Sequence, residues 1–467
     1  MGMQDFHKAG MLKMILKSIF FYRKDAVYQV IITILLSAII TGSLLTGHSV
    51  RSSLRKTSYE KLGNTDIILS SGLRYFDASL AGRISLSTGD KSAALLETEG
   101  YCSNFATGTT ALNVKIYGIT DDFFSFHGVD PVLIKTGETL INSVLAKHLG
   151  IAEGDEMIIH FREADPLPAN APFAPSKDEN GSMVMKVTRI LGPEQAGNFS
   201  PGVSQHIPGT IFLNIADLGS AGDSIKKANR IIVKKEGEAN YYNVLASSIT
   251  PGDIGLTVRR SSKTGEPEII SDRIFIDNLL VSDILRKIPS GKPVLTYLVN
   301  NFTVNGRSTP YSFVSALPSG LYPGIDTDAI IINKWLAEDL DASTGETITL
   351  RWYDPSINHK LEEKERDFYI SEIVQNNSLY SDPALMPDFP GISGSVTCSG
   401  WDAGVPILMD QIRDKDEAYW NTFRGTPKAF VSYESGKMMW GNNFGTATAI
   451  RFPVSMTEEE ITGSLTG

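Results

Sequence analysis

The side chains best suited to hold a metal or move a proton near neutral pH are the seven histidines, at 7, 48, 127, 148, 160, 206 and 359. No two stand in an H-E-x-x-H pair or another compact ligand cluster, so each reads as a surface or turn histidine. Gly391-Ile392-Ser393-Gly394-Ser395 approaches a nucleophile elbow, but G-x-S-x-G needs glycine where Ser395 stands, and a turn is the better reading. No G-x-x-x-x-G-K-[ST] phosphate loop occurs, which excludes ATP hydrolysis through that motif. Asp and Glu are plentiful, yet no spacing selects a catalytic pair. Asn301-Phe302-Thr303 matches a glycosylation triplet of a kind that arises often by chance. The two cysteines, Cys102 and Cys398, are too few for a disulfide framework or a cysteine-built zinc site, and two buried unpaired thiols are expected. No catalytic, cofactor-binding or metal-ligating residue is therefore assigned, and the chain is not expected to be an enzyme.

What remains is a question of where such a chain resides. Its 467 residues suffice for two or three domains. An apolar share of 42% and a charged share of 21% describe an ordinary packed interior. The net charge of −10 argues against a nucleic-acid partner. That charge is uneven. Residues 1–61 carry nine Lys or Arg against three acids, a head of +6, which leaves −16 for the rest. A basic head beside an apolar run suits membrane lipid, and an acidic remainder suits a solvated body.

The run from Ala26 to Thr46 holds no charged residue. At about 20 residues it matches a hydrocarbon core of roughly 30 Å and reads as a transmembrane helix. Its Ser and Thr hydroxyls can bond back to the helix backbone or to neighbouring helices. A cleaved signal peptide has an apolar stretch of only about 7–15 residues and a small-x-small exit. The exit here, Thr46-Gly47-His48-Ser49-Val50-Arg51, lacks one. Residues 1–25 read as a cytoplasmic amphipathic segment, with Lys13, Lys17 and Lys24 near one face. Five basic residues precede the span and four follow it, a near-even count that barely orients it.

Beyond the span the chain reads as mixed short strands and helices, opened by a strand at Asp66–Ser70 and interrupted by an exposed loop at Asp165–Gly181. An internal repeat organises it. Thr139-Leu140-Ile141-Asn142 and the following Leu145, Ala146 and Leu149 correspond, at an offset of 191, to Ile330-Ile331-Ile332-Asn333, Leu336, Ala337 and Leu340. Gly154-Asp155 and Gly345-Glu346 follow, and then the strands Met157–Phe161 and Ile348–Trp352. The pattern predicts strand, Asn-capped helix, glycine turn, strand. Further strands are expected at Met185–Leu191 and Asp367–Val374, and at Thr210–Asn214 and Lys428–Ser432. The fold class is α+β: one N-terminal transmembrane helix (26–46), then a two-lobed mixed α/β region, with lobes at 47–270 and 271–455.

The second copy carries the most distinctive words: Cys398-Ser399-Gly400-Trp401-Asp402-Ala403-Gly404-Val405-Pro406, Ile412 to Trp420, Arg424-Gly425-Thr426-Pro427-Lys428-Ala429-Phe430, and Trp440 to Gly445. Physically, Asp414, Lys415, Asp416 and Glu417 read as a solvated helix face, with Tyr419 and Trp420 turned inward. Pro427 opens a strand, and Trp401, Trp420 and Trp440 pack the second lobe. Together with the anchor and the Leu54…Leu62-Gly63…Asp66 opening, these words resemble the bacterial ABC transporter permeases of the FtsX/MacB type, in the long form with a large periplasmic core domain.

The resemblance implies an N-terminus in the cytoplasm, residues from about 48 onward outside the inner membrane, and a separate ABC ATPase subunit as partner. It also implies a second permease copy or paralogue and ATP-driven motion passed to the outer region for export or extraction of a substrate. Family permeases continue into further spans, so 456–467 reads as the start of a helix leading to a second one, and the chain as an N-terminal portion. Two other readings compete: a single-pass anchored binding or scaffold module, and an anchored hydrolase.

Overall fold

The computed structural model describes residues 4–72, 74–164, 167, 171–174, 180–202, 206–219, 226–320, 322–357 and 360–466, with backbone alone at 4–12, 180, 355–357 and 360. Residues 1–63 with 198–207 form one compact unit, and 64–197 with 208–467 form the other.

In the first unit, α1 (Gln4–Phe21) and α2 (Arg23–Leu62) are separated at Tyr22 (φ −100°, ψ 37°), so Lys24 lies on a different helix from Lys13 and Lys17. The 40 residues of α2 extend about 60 Å at 1.5 Å per residue, twice a bilayer's hydrocarbon thickness. Among the described residues it is the one helix long and apolar enough to cross a membrane, and its apolar stretch is wholly uncovered by protein. A core helix of a soluble protein would bury such a stretch; here Val27, Ile31, Leu35, Ile39 and Leu44 all face outward. Thr33 and Thr46 donate to the carbonyls of Gln29 and Gly42 at 2.7 and 2.8 Å, leaving neither hydroxyl proton unbonded. At the far end Lys61 donates to the His206 carbonyl at 2.8 Å, and its own carbonyl accepts from Ser200 N–H at 3.1 Å.

The second unit is a duplicated barrel-like sheet. The first lobe contains β1 (Ile67–Ser70), β2 (Phe76–Asp77), α3 (Ser79–Thr88), β3 (Lys91–Asn104), β4 (Thr110–Ile119), α4 (Asp122–Phe126), β5 (Glu138–Asn142), α5 (Ser143–Leu149), β6 (Glu156–Arg162), β7 (Asn180–Leu191), β8 (Thr210–Asn214), β9 (Lys227–Ala228), β10 (Arg230–Lys234) and α6 (Tyr241–Ser248). The second contains β11 (Leu256–Arg260), β12 (Pro267–Ser271), α7 (Asn278–Lys287), β13 (Lys292–Val304), β14 (Arg307–Leu317), β15 (Ala329–Asn333), α8 (Lys334–Leu340), β16 (Thr347–Ile357), β17 (Lys360–Val374), α9 (Asp414–Phe423), β18 (Ala429–Ser432), α10 (Tyr433–Trp440), β19 (Ala449–Arg451) and α11 (Glu458–Leu465).

Six strands in the order β3-β4-β8-β5-β7-β6 close on themselves through β6 and β3, and six in the order β13-β14-β18-β15-β17-β16 close through β16 and β13. In each copy the parallel and antiparallel pairings match, and the register slips at Thr139/Leu140 and again at Ile330/Ile331, 191 residues on. Beside each ring the sheet continues, through β10 and β1 in the first lobe and through β19, β12 and β11 in the second.

Short-range chemistry explains why the repeat was visible in the residues. Asn142 accepts from Leu145 N–H at 2.9 Å, and Asn333 accepts from Leu336 N–H at 2.8 Å, each capping a seven-residue helix. The first helix ends in a left-handed Gly150 (φ 64°); the second places Asp341 there (φ 52°), one of the few non-glycine types that tolerate the conformation. Gly154 and Gly345 donate to Val187 and Ile370 at 2.7 and 2.8 Å, and the next acid in each copy caps the turn.

Strand side chains alternate between two interiors. Ile330 and Ile332 face the barrel core, whereas Ile331 joins Leu317, Tyr380 and Phe430 outside it. Cys102 lies in the first barrel's core and Cys398 in the second's, both unpaired and buried, as expected. Trp401, Trp420 and Trp440 pack the second lobe. The helix expected after 456 forms as α11, and its Ile461 docks beside Leu256, Ile284 and Phe452.

Two features were not anticipated. The β6–β7 loop, expected to be exposed, is anchored in part. Most of Asp165–Gly181 lies outside the described residues, but Leu167, Ala171 and Phe173 are buried in the second lobe's core. The Phe173 ring meets Tyr297 at 4.7 Å and Phe389 at 5.0 Å. A loop rich in Pro, Ala and Asn looks solvated because its few large apolar residues are diluted, yet Leu167 and Phe173, with Ala171 between them, staple one lobe to the other. The second feature is Arg451, 0% exposed, with Glu268 at 3.0 Å, Asp382 at 2.8 Å, Glu266 at 3.4 Å and the Tyr322 hydroxyl at 2.8 Å.

Truncating Phe173 to alanine should cost roughly 3–5 kcal/mol, because the ring is buried against Tyr297 and Phe389. Urea unfolding of the Phe173→Ala protein followed by tryptophan fluorescence measures it; an unchanged midpoint would show the loop does not staple the lobes.

Candidate functional site

The duplication supplies its own control. Pairing of β15 with β18 and of β5 with β8 places Lys428 where the first lobe has Thr210, at the mouth of the strand opposite the capping asparagine. The first barrel reaches that strand through residues 192–209, and the second through 375–428, which include α9 and most of the distinctive words. The first ring closes in the same strand order without a counterpart of this insertion, so what the insertion builds is an addition to the shared plan.

It builds a charged chain under aromatic cover. Lys428, 3% exposed, points its ammonium at the Trp335 ring (3.9 Å to the centroid) and the Tyr419 ring (4.7 Å), with Asp416 Oδ1 at 3.7 Å. Asp416 pairs with Arg413 at 2.7 Å, Arg413 with Asp339 at 2.7 Å, and Asp339 with Lys415. Burial opposes ionisation of Asp339, but hydrogen bonds from Lys415, Thr309 and Arg413 outweigh it and hold the carboxyl below its ordinary range. Tyr419 donates to the Thr426 carbonyl at 3.1 Å and accepts from Asn333 Nδ2 at 3.0 Å, so the second-copy cap also orients the cage.

Asp416 and Glu417 thus depart from the solvated face expected of them. Asp416 is buried in the chain of charges, and Glu417 accepts from the N–H groups of Cys398 and Ser399 at 3.1 and 3.2 Å. Asp414 is exposed, while Tyr419 and Trp420 turn inward as read. Burial lowers the Lys428 ammonium to about 8, with Asp416 the main opposing influence. A partly neutral lysine has nucleophilic chemistry available. The open space around it, though, is about 20 Å³, room for a water and no substrate.

The other flagged residues settle into structure. Ser393 accepts from Phe389 N–H and Ser395 donates to the Gly400 carbonyl, both at 2.9 Å, in a turn. Asn301 and Thr303 bond each other at 3.0 Å on a barrel strand whose Phe302 is fully buried. His127 ends α4 and accepts from Asn64 N–H at 3.3 Å, with its pKa lowered to about 4 by burial. His160 stacks on Tyr101. His7 and His359 lie outside the described side chains. Burial lifts both thiols to about 12, aided at Cys398 by Glu417, so neither is a thiolate at neutral pH.

A second site was not read from the residues at all. Where the edge strand β1, helix α6 and the turn Pro251–Ile254 converge, a cleft of about 380 Å³ opens. Its walls are mainly apolar and include Ile68, Leu69, Phe76, Leu245, Ile249 and Ile254, each half-buried. Arg74 and Arg273 stand at its rim. The residues point only to the strand at Asp66–Ser70, and nothing local links it to Ile254 or Arg273.

No family model matches the chain, and no curated protein matches it. Among solved structures it is similar to the periplasmic region of MacB from Actinobacillus actinomycetemcomitans, at 11% identity and a TM-score of 0.26, over 41% of this chain and 83% of that one. At that score the likeness is slight.

Lys428 yields a pH prediction. Its folded value of about 8 lies below the ordinary 10.5, so between those limits the unfolded chain holds the proton and the folded one does not. Stability should therefore rise across that window, by up to about 3 kcal/mol for this group. Urea midpoints at pH 7.5 and 10 should converge for wild type and Lys428→Met as pH rises if the gap at pH 7.5 is the cost of burying charge. Parallel lines would sink the assignment.

Proposed function

We propose that the chain belongs to the permease subunit of an ABC transporter, whose extracytoplasmic region couples ATPase-driven motion to export or extraction of a substrate. The observation that carries this is α2. Its apolar stretch is uncovered by protein and needs lipid to cover it, while the same helix runs on without a break through polar residues to Leu62. A helix held by continuous i→i−4 hydrogen bonds moves as a rod, so displacement at its membrane end is delivered at its far end. The anchor, the duplicated body and the words from Cys398 to Gly445 are the combination that resembles the FtsX/MacB permeases.

On this reading residues 1–25 lie in the cytoplasm and residues from about 48 onward outside the inner membrane. ATP hydrolysis belongs to a separate subunit, and a second permease copy or paralogue completes the pair. The chain itself has no enzymatic role. The two unpaired thiols, buried and protonated, are the only cysteines, which makes orientation straightforward to test.

In whole cells, an impermeant maleimide should label Tyr242→Cys, at an exposed position of α6, and leave Lys13→Cys unlabelled until the membrane is opened. The reverse pattern would overturn the orientation, and with it the reading. The anchored binding module is favoured by one observation, the apolar cleft. It predicts ordinary function in cells lacking any ABC ATPase that co-purifies with the chain, whereas a permease loses its function there.

A further inference from the structure

The cleft beside β1 has a chemistry that narrows its occupant, independently of any ATPase partner. Its volume of about 380 Å³ sits near the lower end of the roughly 300–1,000 Å³ typical of ligand pockets, room for one hydrocarbon chain rather than two. Apolar side chains line most of it, and Ile68, Leu69, Phe76, Leu245, Ile249 and Ile254 among them are left only half-buried. Such a surface is costly in water and is relieved by an apolar ligand.

The rim decides the other end of that ligand. Asp253 already accepts from Arg83 at 2.5 Å and from the Thr250 hydroxyl and N–H at 2.7 Å, so it offers little to a cation. Arg74 pairs with Asp277 at 2.9 Å and remains partly exposed. Arg273 differs. It is half-buried, and its guanidinium has no hydrogen bond or ion pair among the described residues. Burial and the nearby Arg74 both disfavour its charge; Asp272 and Asp277 offset them only in part. A partly desolvated guanidinium with its donors unused is the partner that a carboxylate satisfies with two parallel hydrogen bonds.

We propose that this cleft binds a single-chain anionic amphiphile, with the hydrocarbon chain along Ile68, Phe76, Leu245 and Ile254 and the anionic head on Arg273 beside Arg74. A neutral amphiphile would leave the Arg273 donors as they are. A two-chain lipid would exceed the space.

The test uses the full chain in lipid nanodiscs with a sixteen-carbon fatty acid bearing a diazirine, and its alcohol counterpart as control. Cross-links are mapped by peptide mass spectrometry. With the acid, labels are expected in the peptides covering 67–80 and 241–256, and the alcohol should label them about tenfold less. Arg273→Gln should reduce acid labelling there by a similar factor. Ile254→Trp, which fills the cleft, should abolish it while the melting temperature stays near that of wild type. Labelling of 26–46 by bilayer-dissolved probe serves as the reference in every sample. Equal labelling of the cleft by acid and alcohol, labelling insensitive to Arg273→Gln, or label confined to 26–46 would each overturn the proposal. None of these outcomes depends on which way the anchor faces.

Discussion

A guanidinium removed entirely from water fixes the second lobe. Arg451 has no solvent to fall back on, so each neighbour it holds must stay where it is. Withdrawing a partner from a buried ion pair costs about 3–5 kcal/mol, because the remaining charge cannot be rehydrated. Those neighbours come from three parts of the chain: Glu266 and Glu268 at β12, Tyr322 from the loop after β14, and Asp382 from the start of the insertion. Ser261 ties β11 to the same Asp382 at 2.9 Å, and Arg259 reaches Glu268 at 2.7 Å. The β11–β12 hairpin, the barrel and the insertion are thereby pinned at one point. The apolar cleft depends on this as well, since Ile254, Asp272 and Arg273 stand at the end of that hairpin.

The buried lysine and the cleft show two ways in which a repeated fold acquires individuality. Within the second barrel, a longer connection before β18 brings α9 over the position of Lys428 and encloses it with Trp335 and Tyr419. In the first lobe the strand pattern is kept and Thr210 suffices. The cleft arises instead from what lies outside the rings, where the sheet extension β1 and helix α6 of one lobe meet the hairpin of the other.

What the residues made legible follows from the range of the forces involved. Asn142 and Asn333 cap helices three residues away, and Gly154 and Gly345 serve turns closed within a few residues. Such pairings leave a local signature, and the 191-residue offset carries it twice. The apolar run of α2 was equally plain, because its uncharged residues stand side by side in the chain. Arg451 was silent: its partners stand 69, 129, 183 and 185 positions back, at Asp382, Tyr322, Glu268 and Glu266. Asp416 was misread for the same reason, since a run of charges on a helix looks solvated until Lys428 and Arg413 are placed against it. Arg273 could not be singled out, because its distinction is the lack of a partner among the described residues, and only a folded arrangement reveals it.

The stapling loop has a consequence for how the chain is made. Synthesis runs from the N-terminus, so Leu167 and Phe173 emerge long before Tyr297 and Phe389, the rings that receive them. The first barrel can close on its own strands, but it must wait with an apolar tongue unhoused until the second has been assembled. During that interval the tongue is a natural contact for a holding chaperone and a hazard for neighbouring nascent chains. The two lobes, copies in plan, are therefore unequal in time: the earlier one reaches its final form only when the later one exists.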